Sequence, residues 1–145
     1  MSQQLVVFSL GSEEYGLPIT AVQEIIRYTT PRTIPSSPPS VRGVINLRGK
    51  IIPVCDLKQR LGLYGEDGGE GKIVIIEAGS VTAGLIVDEV EEVLTVEAEQ
   101  LEDAPANNEG YITAVAKVGD RLLVLLDLVK LFSADGVDAL DLLAA

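Results

Sequence analysis

The sequence predicts an all-β protein, mainly strand with short helices, built as two small five-stranded barrels lying side by side with a groove between them. Three observations carry that expectation. The 145 residues are 47% apolar but only 4% aromatic, so the core is aliphatic, and the β-branched residues that dominate its apolar runs favour strands. The chain is written twice. Within each copy the apolar runs are short and are broken by turn-forming residues.

Residues 5–26, LVVFSLGSEEYGLPITAVQEII, lie without a gap over residues 73–94, IVIIEAGSVTAGLIVDEVEEVL, at a shift of 68. Val6 meets Val74, Gly11 meets Gly79, Gly16 meets Gly84, Leu17 meets Leu85, Val22 meets Val90 and Glu24 meets Glu92. After a loop the match resumes at a shift of 71, placing GVINLRGKIIPVCDLKQRL (43–61) over AVAKVGDRLLVLLDLVKLF (114–132). Lys50 then meets Arg121, Asp56 meets Asp127 and Leu57 meets Leu128. Duplication of one unit accounts for both matches. The chain is read as a single domain over 1–145, with one unit at 1–64, the acidic glycine-rich linker GEDGGEG at 65–71 and a second unit at 72–132. The tail at 133–145 adds a weak amphipathic helix or frays.

Each unit parses in the same order. A strand over 5–10 turns at Gly11-Ser12 into a second over 13–19. AVQEIIRY follows as a third, with Val22, Glu24 and Ile26 on one side and Gln23, Ile25 and Arg27 on the other. TTPRTIPSSPPS is too rich in proline for a central strand and is read as a crossover. Strands four and five form a hairpin across Arg48-Gly49-Lys50. A short helix over 56–61 closes the unit, stopped by Gly62, with Asp56 placed as its N-cap and Asp127 repeating that role. Five short antiparallel strands are best served by closure, which removes exposed edges.

Composition narrows function. The net charge is −11 with no basic block, so nucleic acid and anionic membrane surfaces are disfavoured. One cysteine, Cys55, excludes an intrachain disulfide. With no signal peptide before the first apolar run and no apolar stretch long enough to span a bilayer, the chain reads as cytoplasmic. There is no histidine, which removes the commonest general base and metal ligand together. Asp56 and Asp127 imitate a catalytic pair, but equivalent capping positions explain both. DEVEEV (88–93) imitates a cation site, but it copies a strand and reads as a solvated face. Cys55 reads as a buried, inert thiol. No phosphate-binding or nucleophile motif is present. The expectation is no enzyme, no metal and no cofactor.

Arg48 admits two readings. It is either a solvated hairpin tip, with Gly49 supplying the turn, or a guanidinium held out at the groove mouth toward a partner carboxylate or helix end. Gly119 replaces it in the second copy. A rival use of the groove, as a ligand-binding or enzymatic pocket, needs convergent polar groups, and the sequence offers only Arg48 with Glu24.

LVVFSLGSEEYGLPITAVQEIIR, the proline loop and VRGVINLRGKIIPVCDLKQRLG resemble the CheW family of bacterial chemotaxis adaptors, as do GLIVDEVEEVL and YITAVAKVGDRLLVLLDLVKLF. The resemblance runs over essentially the whole chain. It implies two five-stranded SH3-like barrels around a groove, and a free-standing adaptor rather than a kinase or a receiver fusion. It also implies partners: the cytoplasmic tip of methyl-accepting chemoreceptors and the regulatory domain of the CheA histidine kinase. Any membrane association would come only through the receptors. Matched motif by motif, receptor contacts fall on Val22, Glu24, Gly43 and Arg48. Kinase contacts are expected around Pro31, Arg32, Ile34 and Pro35. The acidic linker and the extra prolines depart from the family pattern outside these runs.

Overall fold

A computed structural model describes residues 2–35, 41–61, 71–78, 81–103 and 112–127. The first half supplies β1 (Ser2–Leu10), β2 (Glu13–Pro18), a single 3-10 turn at Ile19–Ala21, β3 (Val22–Arg27), β4 (Val41–Leu47), β5 (Lys50–Asp56) and α1 (Leu57–Arg60). The second supplies β6 (Lys72–Ala78), β7 (Val81–Val87), β8 (Glu89–Glu97), a 3-10 turn at Ala98–Gln100, β9 (Leu101–Asp103), β10 (Ile112–Val118) and β11 (Arg121–Leu126). All five strands expected in the first half are present, and β9 is an addition. The Gly62 stop, the linker before Gly71, the helix after Asp127 and the tail at 133–145 lie outside the described residues.

The strands assemble into a six-stranded sheet in the order β8-β1-β2-β11-β10-β9 and a five-stranded sheet in the order β3-β6-β7-β5-β4. These sheets are not the two repeats. Each draws strands from both halves, so the expected division between 1–64 and 72–132 separates the copies in sequence and not the sheets in space. The exchange takes place at the 3-10 turn between β2 and β3 and at Asp88 between β7 and β8, where the chain leaves one sheet for the other. Swapping each strand for its repeat counterpart turns β8-β1-β2-β11-β10 into β3-β6-β7-β5-β4, which is a pseudo-twofold relation. Wholly antiparallel pairing was expected. Two pairs are instead parallel, β2 with β11 and β5 with β7, and both lie where strands of different halves meet.

Burial explains why β1 and β6 read as unbroken apolar runs. Leu5 and Val7 pack with Val96, Ala116, Leu123 and Leu125 inside the six-stranded sheet. Ile73 and Ile75, their counterparts, pack with Ile45, Ile52 and Val54 inside the five-stranded sheet. The alternate residues Phe8, Leu10, Val74 and Ile76 enter a third cluster, with Tyr15, Leu17, Cys55, Leu85 and Leu126, that draws on both sheets. A strand buried on both faces carries apolar residues at every position. The Phe8 and Tyr15 rings stack in that cluster with centroids 6.0 Å apart. β3 shows the contrasting pattern: Val22, Glu24 and Ile26 are half-buried and Gln23, Ile25 and Arg27 exposed, the alternation the sequence predicts.

Candidate functional site

The β4–β5 ladder ends at the pair Leu47–Lys50, leaving Arg48 and Gly49 as a two-residue turn. Their φ angles are 51° and 86°, positive at both central positions as a type I′ hairpin requires. The Asn46 side-chain oxygen accepts the Gly49 N–H at 2.9 Å and braces the turn. Among the described residues Arg48 alone combines a side chain with positive φ. Such a conformation costs roughly 1–3 kcal/mol and concentrates at functional sites. In the second copy the same position is Gly119, with φ 62°, so the strain belongs to Arg48 and not to the turn as such.

The Arg48 guanidinium donates two hydrogen bonds to Glu24, Nη1 to Oε2 at 2.7 Å and Nη2 to Oε1 at 2.5 Å. Glu24 lies on β3 and Arg48 at the tip of β4, yet these are opposite edges of the five-stranded order. The pair therefore crosses the seam of a sheet curled back on itself. The guanidinium remains 68% exposed and the carboxylate 30%. Val22, on the same side of β3 as Glu24, is half-buried against the central cluster.

A second closure of the seam explains Gly43. Arg32 N–H donates to the Val44 carbonyl at 2.8 Å, and Val44 N–H to the Arg32 carbonyl at 2.9 Å. Gly43 has φ 146°, and a Cβ there would stand 2.1 Å from the Arg32 carbonyl oxygen. Glycine is needed for the backbones to approach. Of the four residues expected to meet a receptor, Glu24 and Arg48 are in direct contact and Val22 adjoins them on the strand, while Gly43 is buried beneath Arg32. Of the other expected contacts, Arg32 and Pro35 are exposed and Pro31 and Ile34 half-buried, all beside β4 or following that bridge.

Asp56 immediately precedes α1, as an N-cap would, and is 8% exposed. Its Oδ2 accepts Nε and Nη2 of Arg42 at 3.1 and 2.6 Å, a partner that sequence reading did not find. Asp127 follows β11 and is half-buried. Asp88, from DEVEEV, accepts the Gly11 N–H at 2.6 Å and the Lys58 ammonium at 2.9 Å, tying the β1–β2 turn to α1. Glu89, Glu91 and Glu92 are exposed along β8.

The second copy carries a displaced version of the cation–carboxylate pair. Arg121, counterpart of Lys50, bonds Glu14 at 3.0 and 2.8 Å and Glu92, counterpart of Glu24, at 2.9 Å. The Arg121 hydrogen bond holds the Glu14 carboxyl below its usual value, and that same bond raises the guanidinium. At 35% exposure this cation is spent within its own sheet, where Arg48 is presented. The repeat alignment of Glu24 with Glu92 and Lys50 with Arg121 was the available signal for this cluster. Among the described residues no helix is long and apolar enough to cross a membrane.

Residues 4–136 match the family model described as the CheW-like domain. The chain is 36% identical to the chemotaxis protein CheW of Klebsiella aerogenes, over 97% of this chain and 88% of that protein. It is 38% identical to the chemotaxis protein CheW of Treponema pallidum, over 90% of this chain and 82% of that one. The solved structure of the scaffolding protein TtCheW from Thermoanaerobacter tengcongensis superposes with a TM-score of 0.88 at 37% identity, covering 95% of this chain and 97% of that one.

Proposed function

The chain belongs to the CheW-like domain family, and from that premise we propose that it is a chemotaxis coupling protein, a non-catalytic adaptor that links transmembrane chemoreceptors to the CheA histidine kinase. In this reading it works in the cytoplasm, at the inner face of the membrane through receptor arrays, and neither a cofactor nor a nucleic acid takes part.

One observation carries the reading: the strained, exposed Arg48 held by Glu24. An exposed ion pair contributes about 0–1 kcal/mol, whereas a left-handed non-glycine backbone costs roughly 1–3 kcal/mol. The pair does not repay the strain, so the folded monomer gains nothing by keeping arginine there. A partner does. With Glu24 fixing its plane, the guanidinium is preorganised to donate to a carboxylate or to the carbonyls at a helix end. Val22 and Glu24 extend the contact along β3 toward the receptor tip, and Gly43 acts through the seam it allows to close. The face bearing Pro31, Arg32, Ile34 and Pro35 is proposed for the kinase regulatory domain.

The test is gel filtration and pull-down with a receptor fragment and with the kinase regulatory domain. Arg48→Ala is expected to weaken receptor binding about tenfold to a hundredfold, as for an interface arginine, with kinase binding retained. Undiminished receptor capture by this variant would remove the assignment of Arg48, and failure of the wild-type chain to bind either partner would remove the adaptor reading.

A further inference from the structure

Arg32 opposite Val44 and Glu102 opposite Val115 occupy the same place in the two barrels. Val115 is the counterpart of Val44 at the shift of 71, and each valine meets one of these residues on the side away from its own hairpin partner. Directly opposed residues put their side chains on one face, and along a strand that face returns at every second residue. Glu102 therefore shares a face with Lys117, and its Oε1 accepts the Lys117 ammonium at 2.8 Å. Arg32 shares the corresponding face with Asn46, the counterpart of Lys117. Where one copy sets an acid beside a cation, the other sets a cation beside a neutral amide. One barrel completes a charge pair at this place and the other keeps half of one.

The missing half is a carboxylate, and there is room for one. Arg42, Arg48 and Arg121 each donate to a carboxylate. Arg32 is exposed and has no ion-pair partner among the described residues. It helps to line a cavity of about 400 Å³, whose walls also include Thr29, Thr30, Val44, Asn46 and Ile51. That volume falls within the roughly 300–1,000 Å³ of small-molecule sites. The polar groups of the walls favour an anion. The Asn46 side-chain oxygen is taken by the Gly49 N–H, which leaves the amide NH₂ to donate. Thr29 and Thr30 bring hydroxyls that can donate as well. Among the described residues no carboxylate lines the cavity, in a chain with 22 acidic residues. Ile51, 55% exposed, and Val44 give it an apolar wall.

We propose that this cavity is a binding site for a small organic carboxylate, held by paired hydrogen bonds from the Arg32 guanidinium, with Asn46 and the threonine hydroxyls as further donors and Ile51 against its apolar body. A planar guanidinium matches the two oxygens of a carboxylate, which gives orientation as well as affinity. The site needs neither Arg48 nor Glu24 and does not rest on the adaptor reading. Arg32 also lies on the face proposed for the kinase regulatory domain, but a titration that contains no partner protein lets either idea fail without the other.

The test is an NMR titration of the ¹⁵N-labelled full chain with benzoate, and with benzamide as its neutral counterpart. Saturable shifts are expected at the amides of Thr29, Thr30, Arg32, Val44 and Asn46 and at the Arg32 Nε–H, with benzamide binding about tenfold more weakly. Arg32→Gln leaves the backbone bonds to Val44 in place and should weaken benzoate by a similar factor. Arg27→Gln, which removes an exposed cation from β3, should leave it unchanged. The proposal is overturned by silence at those amides with benzoate at tens of millimolar, or by benzamide binding as well as benzoate. An equal loss from Arg27→Gln would overturn it too, because the attraction would then be diffuse. So would tighter binding of acetyl-Gly-Glu-Gly-amide than of benzoate, which would make the cavity a socket for a partner's acidic side chain.

Discussion

Arg48 holds a left-handed backbone that its counterpart leaves to Gly119, and this separates stability from binding at one position. Replacing the side chain with hydrogen relieves about 1–2 kcal/mol of backbone strain and forfeits an exposed ion pair worth about 0–1 kcal/mol. Arg48→Gly is therefore expected to melt at the wild-type temperature or a few degrees above it while losing receptor binding. A clear fall in Tm would show that the guanidinium holds the barrel together rather than serving a partner. Gly43 predicts the reverse. A methyl 2.1 Å from the Arg32 carbonyl must push the bridge apart, so Gly43→Ala should cost on the order of 2 kcal/mol in urea unfolding. Glu14 sets an acid limit. Its folded pKa lies below its unfolded value because Arg121 hydrogen-bonds the carboxylate. The stability it contributes is present above the unfolded value of about 4.3 and is lost as pH falls through the depressed folded value. Glu14→Gln should flatten the decline of the urea midpoint between about pH 5 and pH 3 relative to wild type.

At the scale of elements, β1 and β6 bear most of the fold, because each lines a barrel interior with one face and the shared cluster with the other. Phe8 is fully buried in that shared cluster, and Phe8→Ala is expected to cost about 3–5 kcal/mol in equilibrium unfolding. The elements were legible because their signals are local. Unbroken apolar runs gave β1 and β6, alternation gave β3, and Arg48-Gly49 between two apolar runs gave the β4–β5 hairpin with its outward arginine. Pairing between halves was not legible. Nothing within GLIV or PVCD says that β7 and β5 will lie side by side in parallel, since that register is set by packing of strands far apart in the chain. β9 escaped notice because Leu-Glu-Asp is too short to show a period. Asp88 reaching Gly11, and Arg121 reaching Glu14, are contacts across 77 and 107 residues. The repeat alignment pointed toward Arg121 with Glu92 and gave no sign of Glu14.

For the whole molecule the decisive fact is that neither half owns a sheet. Residues 1–64 supply two strands to one sheet and three to the other, and the second half completes both. Fragments 1–64 and 72–145 are each expected to lack cooperative unfolding when made alone and to regain the native far-ultraviolet spectrum on mixing. A fragment that melted cooperatively as a monomer would contradict the interleaved core.

The crossing of strands also bears on descent. A lone ancestral copy could have satisfied its ladders only by trading strands with an identical twin, and two such twins joined end to end become this chain. A protein born that way begins with matching flanks and no means of telling a visitor which one to grip. In the proposed adaptor, an arginine on one flank, against a plain glycine on the other, would break the tie.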